Sequence, residues 1–364
     1  MGNQSMKIDA GRNISLMKES SPFWKQGAFV AQSDREWWIG WGDSKWSAEP
    51  KPGRLCFYLP DFFLENKTPW LVFSDFRKVS RSGLIQELTS IANIDAMSRI
   101  GWKNANKEIF AQRFLEVQKR IASGAIEKAV PLIFFEGEGD FNEEFVQQRF
   151  KALTLETLAS PYGFWKEGQG MVGATPERLF HIKQDQRKLE TMALAGTGTH
   201  SEDLLQNRKE RIEHQLVIDD LRRRLEPYGR VDVGETYEWK LRHLKHLRTD
   251  IDLWFQRDFS FEKWVAILHP TPALGVYPRE SGWEWLRDLN YSEQELPFNR
   301  LGAPFGILLP NGDRTCLVSI RQIQWRSHQA RIGVGCGIVA ESQYEKEWSE
   351  LQLKQNSIRE ALSL

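Results

Sequence analysis

Two pairs of carboxylates in this 364-residue chain have the spacing that gathers acid on one side of a helix: Glu210 with Glu213, and Glu347 with Glu350. Residues three apart on a helix share a face, so each pair can aim two carboxylates at one point. A donor set of carboxylate oxygens suits a hard ion such as Mg²⁺, which keeps several waters and takes a few carboxylates plus substrate oxygens. Taken singly, such pairs are common on solvated helix faces. Arg208, Lys209 and Arg211 around the first pair offer it surface ion pairs instead.

Four shorter segments add groups that could react or hold a ligand, each with a plainer structural reading on its own. In Gly173-Ala174-Thr175-Pro176-Glu177-Arg178-Leu179, small residues end a strand and Pro176 keeps the residue before it extended. Glu177 follows at the bend, and a carboxyl buried there has a raised pKa and can act as an acid. In Leu194-Ala195-Gly196-Thr197-Gly198-Thr199, glycines let backbone N–H groups approach an anion. In Ile332-Gly333-Val334-Gly335-Cys336-Gly337-Ile338-Val339, glycine at every second position clears one face of a strand, a sign of close approach by a ligand or another backbone. Arg321, on the strand before, could offer a bidentate guanidinium to a carboxylate. His269, in Leu268-His269-Pro270-Thr271-Pro272-Ala273-Leu274, sits at the end of a helix, where a capping or core histidine is the commoner reading.

The elements that must position these groups follow from periodicity. Residues 110–123 have helical spacing and stop at Gly124. Residues 126–136 read as an apolar strand carrying Lys128, and 142–158 as a helix. Strands at 162–165 and 171–175 flank a turn at Gly168-Gln169-Gly170, and 178–182 is a further strand. A long polar helix over 202–225 carries the first acid pair, and a short helix over 261–268 precedes His269. Strands at 305–309 and 315–325 flank Asn311-Gly312, a strong turn dipeptide, and 331–339 is a third strand. Ser342 is expected to cap a helix over 344–362, with Glu345 completing a capping box. Nearer the start, Glu36-Trp37-Trp38-Ile39-Gly40-Trp41-Gly42 and Trp70-Leu71-Val72-Phe73 read as strands of a packing scaffold. No repeating strand-helix-strand unit, Gly-x-Gly-x-x-Gly or phosphate-loop motif is present, and no low-complexity linker divides the chain. The expected fold is α+β, a single large domain of mostly antiparallel sheets flanked by helices. Residues 1–109 would be its aromatic-rich scaffold part and 110–364 its catalytic part.

Composition narrows the function. Lys plus Arg equal Asp plus Glu at 49 each. Zero net charge argues against a general nucleic-acid binder, which carries a basic excess, but leaves room for a local positive pocket. No stretch approaches the ~18 apolar residues that cross a membrane, and the start, Met1 to Ser21, lacks an apolar signal core. Cys56, Cys316 and Cys336 are widely spaced, which suits a reducing cytoplasm and argues against a disulfide framework or a thiolate zinc site. These features fit a cytoplasmic protein with no nucleic-acid or membrane partner.

Taken in order, the segments resemble the chorismate-utilising enzymes, which include the anthranilate synthase large subunit, aminodeoxychorismate synthase, isochorismate synthase and salicylate synthase. The resemblance runs from about residue 126 to 362. Besides the glycine and proline motifs above, it rests on Glu127-Lys128-Ala129-Val130, Glu213-His214-Gln215-Leu216-Val217, His246-Leu247-Arg248-Thr249 and Glu347-Trp348-Ser349-Glu350. It implies an anthranilate-synthase-large-subunit-like fold, chorismate as substrate and Mg²⁺ as cofactor. It also implies that Glu213 and Glu350 ligate the ion directly, with Glu210 and Glu347 behind them, and that the ion holds the ring carboxylate. Arg321, Lys354 and the backbone at Gly335 and Gly337 would hold the enolpyruvyl carboxylate. Gly196 and Thr197 would contact the substrate near the point of attack, and His269 would lie by the ring. Lys128 stands where isochorismate and salicylate synthases carry the lysine that activates water. Glu177 stands where they carry the acid that protonates the departing hydroxyl, so that water adds at C2 as hydroxide leaves C4. Ala195 stands where aminodeoxychorismate synthases carry a nucleophilic lysine.

The resemblance is nearest to isochorismate synthase, an isomerase expected to act as a monomer without a glutaminase subunit and to feed menaquinone or a siderophore. Salicylate synthase, which shares the lysine and the glutamate, is the rival reading, and an ammonia-using synthase comes third. A non-catalytic binding protein of the same fold is disfavoured by the presence of Lys128, Glu177 and the four glutamates. Two departures stand out: Leu301 where the family usually has an aromatic residue, and Val276-Tyr277 in a usually glycine-rich stretch.

Overall fold

Aromatic and β-branched residues dominate the segments that pair, as a pleated and half-buried surface favours. The computed structural model describes residues 18, 20–89, 100–103, 106–291 and 300–364, so most of the polar start, Met1 to Ser21, lies outside the described residues. Among the described residues, sixteen strands join in one sheet and every strand pairing is antiparallel. The fold is thus α+β, with the sheet flanked by helices. The strands Gly27–Ser33, Glu36–Ser47, Cys56–Tyr58 and Trp70–Val79 lie in the middle of that sheet, between Pro304–Leu308 and Ser160–Lys166. No helix among the described residues is long and apolar enough to cross a membrane.

The sheet passes from one half to the other where two neighbouring strand runs break at the same level. Gln169–Thr175 gives way to Arg178–Ile182 across Pro176 and Glu177, and Arg314–Val318 gives way to Gln322–Arg326 across Ser319, Ile320 and Arg321. Gln169–Thr175 pairs with Gln322–Arg326, and Arg178–Ile182 pairs with Arg314–Val318. The single strand expected over 315–325 is therefore two. The reason is local: Arg321 has φ of 57°, a left-handed conformation that cannot continue a ladder. Its carbonyl still accepts from Ala174 N at 3.2 Å, and Glu177's carbonyl accepts from Val318 N at 3.1 Å. Ala174 with Arg321, and Val318 with Glu177, thereby stitch the two runs together across the break.

Phe57, Phe73, Tyr162, Phe164 and Phe305 fill a buried cluster contributed by strands and the residues that flank them. The helices Lys107–Ala122, Glu143–Thr154 and Tyr344–Ala361 pack in a second cluster, and Arg208–Leu225 and Phe261–Leu268 in a third. The acid-bearing helix begins at Arg208, later than expected, because Asn207 caps it by accepting from Lys209 N and Glu210 N. The capping box expected at Ser342 does not form. Ser342 Oγ accepts from Val339 N at 3.1 Å instead, and Glu345 reaches out to Lys107 at 3.5 Å. The strand expected over 126–136 is interrupted at Val130-Pro131. Lys128–Ala129 pairs with Val276–Tyr277, and Leu132–Glu138 pairs with Gln329–Gly335. Proline has no N–H to give the ladder. Cys56, Cys316 and Cys336 are all buried free thiols.

Candidate active site

Beside the break in the sheet lies a narrow cavity of ≈ 70 Å³ whose wall includes Glu177, Ala195, Thr197, Glu213, His246, Leu301, Arg321, Gly335, Gly337 and Lys354. Outside it, a wider hollow of ≈ 650 Å³ is walled by Thr197, Lys209, Glu210, Glu347 and Glu350. The two acid pairs thus converge from different helices on one region, with Glu213 on the inner side and the other three on the outer. A separate hollow of ≈ 330 Å³, walled by Lys103, Phe164, Trp325 and Arg331 among others, contains none of the candidate residues.

Lys128 is fully buried, and its Nζ lies 3.0 Å from Glu213 Oε1. Its two-residue strand is fixed on one side by Val276–Tyr277 and on the other by Ala129, which exchanges backbone hydrogen bonds with Ile338. That bridge brings Gly337 against the pair. A methyl group at Gly337 would overlap Glu213 Oε1 and come within 2.6 Å of Lys128 Cε. Gly337→Ala is expected to cost roughly 1–3 kcal/mol of stability through overpacking and to lower turnover more than about 100-fold by parting Lys128 from Glu213. Thermal melts and steady-state kinetics check this. Wild-type turnover in that variant would mean the gap is not needed.

Glu177, 4% exposed, is oriented by its own turn, where its N–H donates to Thr175 Oγ1 at 3.1 Å. Burial pushes its carboxyl up to about 7, against the opposing charge of Lys128. Glu177 lines the cavity, whereas Lys128 is not among its wall residues; the Lys128 charge reaches Glu177 electrostatically from a buried place beside Gly337 and Glu213. Ala195 in the same wall offers no nucleophile.

Sequence neighbours alone make Lys209 a surface charge, yet its side chain is 14% exposed and its Nζ sits among carboxylates. It lies 3.2 Å from Glu210 Oε1, 2.9 Å from Glu213 Oε2 and 3.2 Å from Glu347 Oε1. Burial opposes its charge, but Glu213, Glu347, Glu350 and Glu210 together hold the ammonium well above its ordinary value. Burial would likewise raise Glu213, and Lys128 and Lys209 overcome it and hold that carboxyl well below the usual range. Burial pushes Glu210 and Glu347 up to about 7 despite Lys209. The last acid, Glu350, pairs with Lys354 at 2.6 Å, and Lys354 also donates to Gly335's carbonyl at 2.8 Å.

These residues fit a hard cation. A positive nitrogen already stands within 3.2 Å of oxygens from three glutamates, the donors are all oxygen, and Glu347 Oε2 is buried with no hydrogen-bond partner. Among the described residues, no three acids or histidines close around a single point as the ligands of an ion would.

Two expectations shift. The Gly196-Thr197 turn does present a backbone N–H to an anion, but the anion is internal: Thr197 N donates to Glu210 Oε2 at 2.8 Å. Gly196 is required there because its φ is +76° and a side chain would press on Glu210. His269 is not in the cavity wall. It donates from Nε2 to Phe62's carbonyl at 2.7 Å and packs edge-on to that ring, and burial pushes its pKa down to about 3. The histidine in the wall is His246, whose motif contributes to the family resemblance but suggests no role for it. Its Nε2 lies 3.1 Å from Arg321 Nη2, and its Nδ1 lies 3.1 Å from Thr197 Oγ1 and 3.3 Å from Gly196 O. A guanidinium can only donate, so Nε2 accepts and Nδ1 carries the proton. Burial, then Arg321 and Lys354, push the His246 pKa well below its ordinary value, so the ring is neutral.

The sequence matches the "Chorismate binding enzyme" family over residues 75–363. It is 34% identical over 204 residues to the "Salicylate biosynthesis isochorismate synthase" of Pseudomonas aeruginosa, covering 53% of this chain and 42% of that protein. It is 30% identical over 217 residues to "Isochorismate synthase MenF" of Bacillus subtilis, covering 54% of this chain and 43% of that one. The chain thus spans less than half the length of these two relatives. Its fold is similar to the structure of MenF, the menaquinone-specific isochorismate synthase from Escherichia coli, with a TM-score of 0.75 at 20% identity over 97% of this chain and 92% of the other.

Proposed function

Because this chain belongs to the chorismate-binding enzyme family, we propose that it is an isochorismate synthase, converting chorismate to isochorismate reversibly with Mg²⁺ and no organic cofactor. The observation that carries this reading is the buried Lys128 amine, beside Glu213 and Gly337, whose charge acts on a Glu177 carboxyl that lines the cavity and that burial pushes up to about 7. Lys128, in its neutral form, takes a proton from water as the oxygen bonds to C2, both ring double bonds shift, and Glu177 gives its proton to the hydroxyl that leaves C4. Water enters and water departs, so the reaction is an isomerisation. Glu213 and Glu350 would hold the ion, with Glu210 and Glu347 behind them. When bound, it would neutralise and orient the ring carboxylate.

Arg321, steadied by neutral His246, and Lys354 would receive the enolpyruvyl carboxylate beside the backbone of Gly335 and Gly337. Thr197 closes the wall near the point of attack, and Ala195 leaves the ring free of a competing amine nucleophile. Water activation by a lysine needs no ammonia channel, which favours a monomeric cytoplasmic enzyme with no glutaminase subunit. The aliphatic Leu301 in the wall alters the side of the pocket that governs release of isochorismate against onward loss of pyruvate.

One assay tests the proposal: chorismate with Mg²⁺, with and without ammonium, and chromatographic identification of the product. Isochorismate is expected in both arms, in equilibrium with chorismate. Salicylate with pyruvate, or an amino product in the ammonium arm, would replace this reading.

A further inference from the structure

The acid cluster and the lysines around it are balanced in an uneven way. Each carboxylate assigned to the ion is already engaged by an ammonium: Glu213 by Lys128 and Lys209, and Glu350 by Lys354. Lys128 reaches from the closed inner side and Lys354 is tied to Gly335's carbonyl. Of these three lysines, Lys209 is the one that stands between the two acid-bearing helices, touching Glu210 and Glu213 on one and Glu347 on the other. Three oxygens within 3.2 Å of one nitrogen leave no room for a second cation at that point, since two positive charges so close in a buried setting repel strongly. We propose that Lys209 is a resident counterion of the acid cluster. Its ammonium occupies the place a divalent cation takes, and it must swing out before the ion can bind.

Space and partners for that movement exist on the outer side. Lys209 borders the ≈ 650 Å³ hollow, whose wall also carries Glu202, Glu341 and Glu345. A lysine side chain has a flexible four-carbon stem and a compact charge, so it can exchange one set of carboxylates for another without movement of the helix. The resident ammonium has two consequences. It keeps four clustered glutamates from repelling one another before the ion arrives, and it weakens metal binding by the free energy of its own displacement. The inference rests on the proposed metal role of these glutamates but not on any particular reaction.

Titration calorimetry with Mg²⁺ alone, on wild type, Lys209→Met and Lys209→Arg, tests it without substrate. Lys209→Met is expected to bind Mg²⁺ at least tenfold more tightly than wild type, to melt at a lower temperature in chelator, and to gain more from Mg²⁺ than wild type does. Lys209→Arg, which keeps the charge, is expected to remain weak. A second measurement needs no variant. Reductive methylation of wild type, read by peptide mass spectrometry, is expected to be slow at Lys209 in chelator and at least severalfold faster with Mg²⁺, as the amine reaches solvent. Equal or weaker Mg²⁺ binding by Lys209→Met, no binding by any of the three proteins, or a methylation rate that Mg²⁺ leaves unchanged overturns the proposal. None of these readings involves chorismate, so failure of the isochorismate assay leaves them standing.

Discussion

Lys128→Ala is expected to lower turnover by roughly 10²–10⁴-fold, the usual worth of a positioned acid or base, while Mg²⁺ and chorismate still bind. The side chain is fully buried and its nitrogen touches Glu213, not the outer hollow where Glu210, Glu347 and Glu350 gather. Its loss therefore removes the base without removing an acid of the cluster. It also removes one of the two ammoniums that hold Glu213 ionised. In chelator the variant is expected to melt lower than wild type, because breaking one partner of a buried pair leaves the other uncompensated. Mg²⁺ is expected to restore part of that difference by supplying the missing charge. Calorimetry with Mg²⁺ and with chorismate, beside steady-state turnover, separates the effects. Full activity in Lys128→Ala would remove water activation by this lysine from the mechanism.

Local chemistry explains which parts of this molecule can be read from its sequence. The helices Phe261–Leu268 and Lys107–Ala122 end within a few residues of expectation, because serine, asparagine and glycine caps act through the nearest backbone. The turn at Asn311-Gly312 is likewise a local preference. The break at Arg321 is invisible in the sequence, since a left-handed arginine has no signal of its own. It is imposed by the neighbouring run breaking at Pro176, and that pairing joins segments far apart in the chain. Among the site residues, the two acid pairs are legible because i, i+3 spacing is a property of one helix. Lys209 misleads for the same reason. From Arg208–Leu225 alone it looks like one of several surface cations, and only the arrival of Glu347 from Tyr344–Ala361 makes its position unusual. His246 shows the converse case: its sequence neighbours are ordinary strand residues, and its role comes from Arg321, 75 positions away.

Glu177→Gln is expected to be both nearly inactive and more stable than wild type at neutral pH. Glutamine keeps the size and can sit in the same turn, but it has no proton to give to the departing hydroxyl, so turnover should fall by roughly 10²–10⁴-fold. The stability change follows from the carboxyl's position. Burial raises it from an ordinary value of 4.5 to about 7 in the folded chain. Between those values the folded chain holds a proton that the unfolded chain has released, so this group's contribution to stability is whole below about pH 4.5 and declines until about pH 7. That interval is worth on the order of 3 kcal/mol at about 1.36 kcal/mol per unit. Glutamine cannot ionise and lacks the slope. The gap in melting temperature between variant and wild type should therefore widen from about pH 5 to about pH 7 and then hold steady. The same titration predicts that wild-type kcat/KM declines above about pH 7, as the acid loses its proton, and that residual activity in the variant lacks this limb. Parallel melting curves across that range, or an alkaline limb surviving in Glu177→Gln, would mean that another group protonates the leaving oxygen.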